Sequence, residues 1–279
     1  MKQPLVSAVV TTRNNTATLE NCLKSIVGQS YHQIELIVID NHSTDNTIEI
    51  ANKYTKKVWV KGPERSAQRN FGASKATGEF VLIIDSDMEL TTHVVESAVH
   101  KITEDETTQG IIIPEESFGE GFWAACKQLE RSYYVGVPWM EAARFFRKSV
   151  FTQVSGYNEN LVSGEDWDLS QRVEALGRLE RIDDFILHNE GKLSLRKTLK
   201  KKFYYAQKFA LYMDQTKSQN MQSQTGIVAR YKLFFNEQKK IVRSPHTWLG
   251  MLFMKTAEFG CGGLGYIATR LRKRESAEL

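Results

Sequence analysis

The sequence predicts an α/β protein with a mostly parallel sheet flanked by helices, followed by a helical, basic C-terminal extension. Three observations predict it. Short apolar, β-branched runs alternate with segments of helical spacing through the first half. Two of those runs end in aspartate, at Asp40 and Asp85, where open α/β sheets bind ligands. From Leu193 onward the pattern turns helical and basic. The 279 residues, 41% of them hydrophobic, suffice for one large α/β domain, alone or with a helical extension.

Each element has its own signal. Val6 to Thr11 is a first strand, and Ala17 to Gly28 places Leu19, Leu23, Ile26 and Val27 on one side of a helix. Ile34 to Asp40 is a second strand, and Thr44 to Tyr54 is a helix with Asp45 or Thr44 as its cap. Lys57 to Val60 is a short third strand, Ser66 to Ala76 is helical, and the uncharged run Phe80 to Ile84 is a buried fourth strand. Beyond it, Thr92 to Lys101 reads as a helix, Gly110 to Pro114 as a strand and Trp123 to Tyr134 as a helix. Arg144 to Arg147 is a short apolar-basic piece, followed by a turn at Ser155-Gly156-Tyr157-Asn158. Trp167 to Leu176 is a helix for which Gly177 is the expected C-cap.

Charge and composition narrow the function. A formal charge of +4 argues against a dedicated nucleic-acid binder. Cys22, Cys126 and Cys261 are too few and too scattered for a disulfide framework or zinc site, and fit a reducing compartment. The N-terminus runs straight into a strand without a leader-like apolar segment, so a cytoplasmic location is expected. No run reaches transmembrane length; Trp248 to Ala268 comes closest but is broken by Lys255 and Glu258, and reads as a helix packed on the core or lying at a membrane surface. Gly260 to Gly265 fits G-x-G-x-x-G without a preceding strand, so helix packing or a loop is the better reading.

The fourth strand carries the strongest chemical signal. Asp85 and Asp87 stand two positions apart, and alternation along a strand would aim both at one cavity beyond its carboxyl end. Two hard carboxylates suit Mg²⁺ or Mn²⁺, which take few protein oxygens and complete their shells from water and phosphate. A solvated Asp-Ser-Asp turn is the plain alternative.

Four segments then line up in order. Val38 to Thr47 (VIDNHSTDNT) resembles the V-D-D-G-S-T-D-x-T signature of family 2 glycosyltransferases, which have the GT-A fold. Ser66 to Ala73 resembles their A-R-N-x-G segment, and Gly78 to Asp87 resembles the strand carrying their D-x-D. Ser163 to Leu169 (SGEDWDL) resembles their E-D-x-D-L motif. The resemblance covers roughly Val6 to Asp168. It implies a GT-A nucleotide-sugar-binding and catalytic domain over 1–190, with 191–279 as the basic helical extension. The implied reaction is inverting transfer of a sugar from a nucleotide-diphosphate donor to an acceptor hydroxyl on a glycan or a lipid-linked substrate.

The resemblance also implies roles. Asp40 matches the aspartate that accepts a hydrogen bond from the nucleotide base, and Thr11 and Arg13 line the same pocket, with T-T-R-N in place of P-x-Y-N. Arg69 matches the arginine beside the nucleotide and would offset phosphate charge; a solvated helix face is its alternative. Asp87 is the expected ligand for Mg²⁺ or Mn²⁺, Asp85 touches the ribose or reaches the metal through water, and His188 is the expected further metal ligand. A structural histidine is the alternative there. Asp166 matches the catalytic base and Glu165 orients the acceptor or caps the helix; simple N-terminal capping is the alternative for both.

In the extension, Leu195, Leu199, Phe203, Ala206 and Ala210 form an apolar stripe beside six cations between Lys192 and Lys202. Such a helix either packs on a core or lies on an anionic membrane surface. Two rival functions stay open. One is a sugar-nucleotide nucleotidyltransferase, although Thr11 to Asn14 lacks that class's glycines; the other is a non-catalytic nucleotide-sugar binder.

Overall fold

The structure is a computed structural model and describes residues 3–213 and 226–275, with side chains for 3–207 and 226–270. The chain divides into two compact units. The first comprises Met1–Glu116, Glu141–Glu159 and Gly164–Asn189; the second comprises Ser117–Met140, Asn160–Ser163 and Glu190–Leu279.

The strands are β1 (Val6–Thr12), β2 (Ile34–Asp40), β3 (Val58–Val60), β4 (Phe80–Asp85), β5 (Met88–Leu90), β6 (Thr108–Ile112), β7 (Glu115–Glu120), β8 (Ala143–Arg147), β9 (Arg178–Arg181) and β10 (Ile186–Lys192). The helices are α1 (Leu19–Val27), α2 (Thr47–Tyr54), α3 (Arg65–Lys75), α4 (Val94–Glu104), α5 (Phe122–Ser132), α6 (Lys148–Gln153), α7 (Glu165–Glu174) and α8 (Leu195–Met213). Three more follow: α9 (Ile227–Asn236), α10 (Gln238–Arg243) and α11 (Pro245–Glu275).

The first unit is built on a sheet ordered β3-β2-β1-β4-β8-β6-β9. It is mainly parallel, as the sequence predicts, with β8 running antiparallel between β4 and β6. The chain steps from β1 to β2 and β3 on one side and returns to β4 on the other. That reversal opens the crevice where doubly wound sheets hold ligands. Register sets its walls: Thr11 lies beside Asp85, and Thr12 beside Asp40.

Strand β1 is buried end to end because helices cover both faces of the sheet. Alternation splits it between two apolar layers. Ala8 and Val10 join Leu19, Leu23 and Ile26 of α1, while Val9 joins Ile37, Ile39 and Ala73. Helix α3 comes unusually close to this second face. A Cβ at Gly72 would sit 2.3 Å from Val9 Cγ1, so only glycine permits the approach. Arg69 lies one turn earlier on the same face, and that approach buries it completely. Gln68 fixes the helix to the strand ends by donating to the carbonyls of Thr12 (3.1 Å) and Ile39 (2.8 Å).

Two terminus expectations are corrected. Neither Thr44 nor Asp45 is the N-cap of α2, which begins after Asn46; Asp45 Oδ1 instead accepts from the Thr47 N–H at 3.1 Å, one turn position outside. Helix α7 ends through Ala175 in helical conformation, so Gly177 is not its cap. Gly177 serves close packing: a Cβ there would lie 2.5 Å from the Thr107 carbonyl oxygen.

The second unit packs α5 and α8 to α11 around Cys126, Tyr133, Phe234, Trp248, Met251 and Met254. Helix α8 lies along α11, and Gly265 allows contact, since a Cβ there would meet the Phe203 carbonyl oxygen at 2.5 Å. The G-x-G-x-x-G stretch is therefore helical, with Gly262 and Gly265 turned to α8 and Gly260 and Gly263 open. Along the α8 stripe Leu195 packs on the apolar cluster and Leu199 and Ala206 are half-buried, while Phe203 is exposed. Ala210 lies outside the residues whose side chains are described. Inside this unit Lys255 donates to Glu130 Oε1 (2.6 Å) and Glu258 Oε2 (3.0 Å), and Lys127 pairs with both acids. Burial alone would raise the Glu130 carboxyl; Lys127 and Lys255 outweigh it and hold it well below its usual range. Among the described residues, no helix is long and apolar enough to cross a membrane.

Candidate active site

Three loops leave the carboxyl edge of β1, β2 and β4, and short polar side chains stitch them together. Asp40 is fully buried and takes the Ser43 N–H (2.7 Å) and hydroxyl on its two oxygens. Ser43 Oγ accepts from the Asn14 N–H at 2.7 Å, joining the first loop to the second. Asn15 Nδ2 donates to Ser86 Oγ at 2.8 Å, joining the first loop to that after β4. Asn14 and His42 hold left-handed conformations (φ 45° and 51°), which lets both loops turn tightly out of their strands. Arg13 stands exposed on the first loop.

Beneath these loops lies a buried ionic network centred on Arg69. Its Nη2 donates to both oxygens of Asp85 (2.9 and 2.8 Å), and its Nη1 to Asp166 Oδ1 (3.0 Å) and Glu165 Oε1 (3.4 Å). The guanidinium also stacks over the Tyr157 ring, 4.9 Å from its centroid. Both terminal nitrogens of Arg69 are engaged by carboxylates, while its Nε is buried without a hydrogen-bond partner. One cation thus ties the D-x-D strand to the E-D motif, Arg69 and Asp166 lying 97 positions apart.

Asp85 accepts a further bond from Thr11 Oγ1 at 2.9 Å. Burial would raise its carboxyl, but Arg69, Arg144 and Arg65 hold it well below the usual carboxylate range. Both oxygens of Asp85 are thus committed to Arg69. The expected alternation of Asp85 and Asp87 is not what the loop does: β4 ends at Asp85, and a turn separates it from β5. Asp87 is half-buried, its side chain 42% exposed and its Oδ2 lying 3.6 Å from Nε2 of His188. Pairing of β10 with β5 places His188 opposite Met88, and the Asn189 N–H donates to the Asp87 carbonyl at 2.7 Å.

Asp166 sits in the first turn of α7, entered through Gly164 at φ 81°. The turn is fixed to the sheet by Ser170, whose Oγ donates to the Asp166 carbonyl (2.8 Å) and accepts from the Ala143 N–H (2.9 Å). Its carboxylate is held by Arg69, by the Tyr157 hydroxyl (3.1 Å) and by Arg144 Nη2 (3.7 Å), yet remains 25% exposed. Glu165 is only 5% exposed and pairs with Arg65 (3.2 Å). Burial and the neighbouring Asp166 charge push its carboxyl up against the pull of Arg65 and Arg69.

Tyr157, Arg144 and Arg65 were not singled out in the sequence. Asn70 links Tyr157 to the A-R-N segment, accepting the Tyr157 N–H (2.7 Å) and donating to its carbonyl (2.8 Å). The Ser155-Gly156 turn was visible, but nothing in it disclosed where the following ring would point. For a divalent cation, the donor set that fits is Asp87 with His188, a half-buried carboxylate and an adjacent imidazole. Among the described residues, no group of three or more metal-binding side chains is assembled.

Comparison with known proteins accords with this arrangement. The family model described as "Glycosyl transferase family 2" matches residues 7–152, just over half of the chain. Glycosyltransferase GlyG of Streptococcus pneumoniae is 35% identical over 107 residues, 36% of each chain. The GalNAc(5)-diNAcBac-PP-undecaprenol beta-1,3-glucosyltransferase of Campylobacter jejuni is 31% identical over 111 residues, 36% of this chain and 35% of that one. The matches span 30–38% of the length of such curated relatives. A solved structure, the mannosyltransferase PcManGT of Pyrobaculum calidifontis in complex with GDP-Man and Mn2+, superposes with TM-score 0.63 at 14% identity. It covers 95% of this chain and 88% of that one, which shows a shared fold.

Proposed function

The chain belongs to glycosyl transferase family 2, and we propose that it transfers a sugar from a nucleotide-diphosphate donor to an acceptor hydroxyl with inversion. One observation carries the reading: Arg69 binds the strand-end Asp85 and the helix-start Asp166 at once, leaving Asp166 partly open to solvent.

In this reading the edge of β1 and β2, with Thr11, Arg13 and Asp40, receives the nucleotide, and Asp85 shapes the sugar side. Asp166 takes the proton from the acceptor hydroxyl, whose oxygen then attacks the anomeric carbon. The bond from that carbon to the diphosphate oxygen breaks, and the nucleoside diphosphate departs on the opposite face. Arg69, Tyr157 and Arg144 fix the carboxylate in one orientation, so little reorganisation accompanies proton transfer. Glu165, buried beside it, supports that geometry and orients the acceptor.

Asp87 and His188 would hold Mg²⁺ or Mn²⁺, which supplies positive charge for the departing diphosphate. Two protein ligands leave room for phosphate and water oxygens, as such cations prefer. PcManGT, complexed with Mn2+ and GDP-Man, and the undecaprenol-linked name of the Campylobacter relative support the cofactor and a lipid-linked or glycan acceptor.

Product analysis tests the reading. Incubation with nucleotide sugars, Mn²⁺ and candidate acceptors should release nucleoside diphosphate and invert the anomeric configuration. Release of pyrophosphate would point to nucleotidyl transfer; donor binding without turnover on any acceptor would point to a binding protein.

A further inference from the structure

Helix α11 turns its charges inward and its apolar side chains outward. Between Pro245 and Ala268 its charged residues are Lys255 and Glu258, each 3% exposed, Lys255 pairing with Glu258 and with Glu130 of α5. Its exposed large side chains are Leu249 (59%), Phe253 (60%), Leu264 (63%) and Ile267 (54%). At 3.6 residues per turn these four fall in one stripe, about 27 Å long at 1.5 Å per residue. Thr256, Gly260 and Gly263 are exposed within it, so the stripe carries no charge. A water-facing helix shows the reverse polarity.

Cations bracket the stripe. Arg243 and His246 are exposed at one end and Arg270 at the other, where Arg272, Lys273 and Arg274 follow in sequence. Glu258 is the only acid from 245 to 270, and it is buried.

We propose that this face of α11 seats on an anionic lipid bilayer, with the helix axis along the surface. An uncharged apolar stripe flanked by cations is the pattern of an interfacial helix, its side chains entering the acyl boundary while the flanking cations meet anionic headgroups. The helix is not apolar enough to cross. A second copy fits the face less well. Pairing two such stripes, parallel or antiparallel, sets Arg243, His246 and Arg270 against their like without an exposed acid on the stripe to offset them. The sequence leaves this helix open between core packing and a membrane surface; the stripe is distinct from that on α8, whose Leu195 and Leu199 are half-buried. The inference rests on the second unit alone and does not depend on the transferase reading.

Vesicle flotation of the full chain tests it. The protein should float with phosphatidylglycerol-containing vesicles, and less with pure phosphatidylcholine or at raised salt. Leu249→Ser, Phe253→Ser and Leu264→Ser combined should lower partitioning roughly tenfold or more. Because all three side chains are exposed, the thermal midpoint and circular dichroism should hardly move. Arg243→Gln with Arg270→Gln should weaken binding to the anionic vesicles selectively. Failure of the parent protein to float at low salt would overturn the proposal, as would undiminished flotation of the triple variant. So would a dimer in light scattering that the triple variant dissolves while vesicle binding stays absent.

Discussion

Each unit buries a charge network around a central cation, and the two differ in how they end. In the second unit Lys255 lies among Glu130, Glu258 and Lys127; Glu130, Glu258 and Lys255 are each at most 3% exposed, and the network is closed to solvent on its acid side, the cations Lys127 (15%) and Lys202 (44%) alone reaching outward among the described residues. In the first unit Arg69 is equally buried, but its network runs outward to Asp166, a quarter exposed. Both bear the desolvation that burying ions entails, offset only where geometry and hydrogen bonds are good. The closed network can do no more than fix how helices pack. The open one delivers an oriented carboxylate to solvent, where an acceptor can reach it.

Substitutions can break that contrast. The largest effect is expected from Asp166→Asn, which keeps the hydrogen-bonding shape but removes the base: turnover should fall about 10²- to 10⁴-fold, while donor affinity measured by calorimetry holds. Lys255→Met should act on stability instead. Stranding Glu130 and Glu258 without their central cation costs about 3–5 kcal/mol in denaturant unfolding, with turnover per folded molecule retained. Asp87→Asn, assayed by Mn²⁺ titration after chelation, should raise the concentration for half-activation about tenfold or more.

The smallest expected effect is in acid. Glu130 and Asp85 have lowered values in the folded state, so the unfolded chain binds more protons below their ordinary values of 4.5 and 3.8. The stability they contribute is complete above that range and is lost as pH falls through it. Thermal midpoints should therefore drop below about pH 4.5, and Glu130→Gln paired with Lys255→Met should flatten part of that drop.

The regions also differ in how far the sequence discloses them. Strands β1, β2 and β4 are legible because both faces are covered, which demands continuous apolar runs. Strands β7 (EESFGE) and β9 (RLER) are short and charged, Glu116 and Glu120 lying exposed, and no apolar period marks them. The D-x-D and E-D segments could be found by their residues, and Asp166 lies in the first turn of its helix as that reading requires. The Arg69 connection could not: it joins elements 97 positions apart, and only the closeness allowed by Gly72 brings it about. Tyr157 and Arg144 escaped for the same reason, since a ring after a turn and an arginine on a strand carry no local sign of a shared carboxylate. On α11 the inward charges looked like interruptions of an apolar segment; in the structure they are its core contacts, and the apolar residues are its surface.

The most direct test measures turnover per folded molecule and thermal midpoint together for Asp166→Asn and Lys255→Met. A crossed result is expected, the first losing turnover at an almost unchanged midpoint and the second losing midpoint at an almost unchanged turnover. If Asp166→Asn keeps its turnover, or if both variants lose the same property, the open network is not the seat of the chemistry.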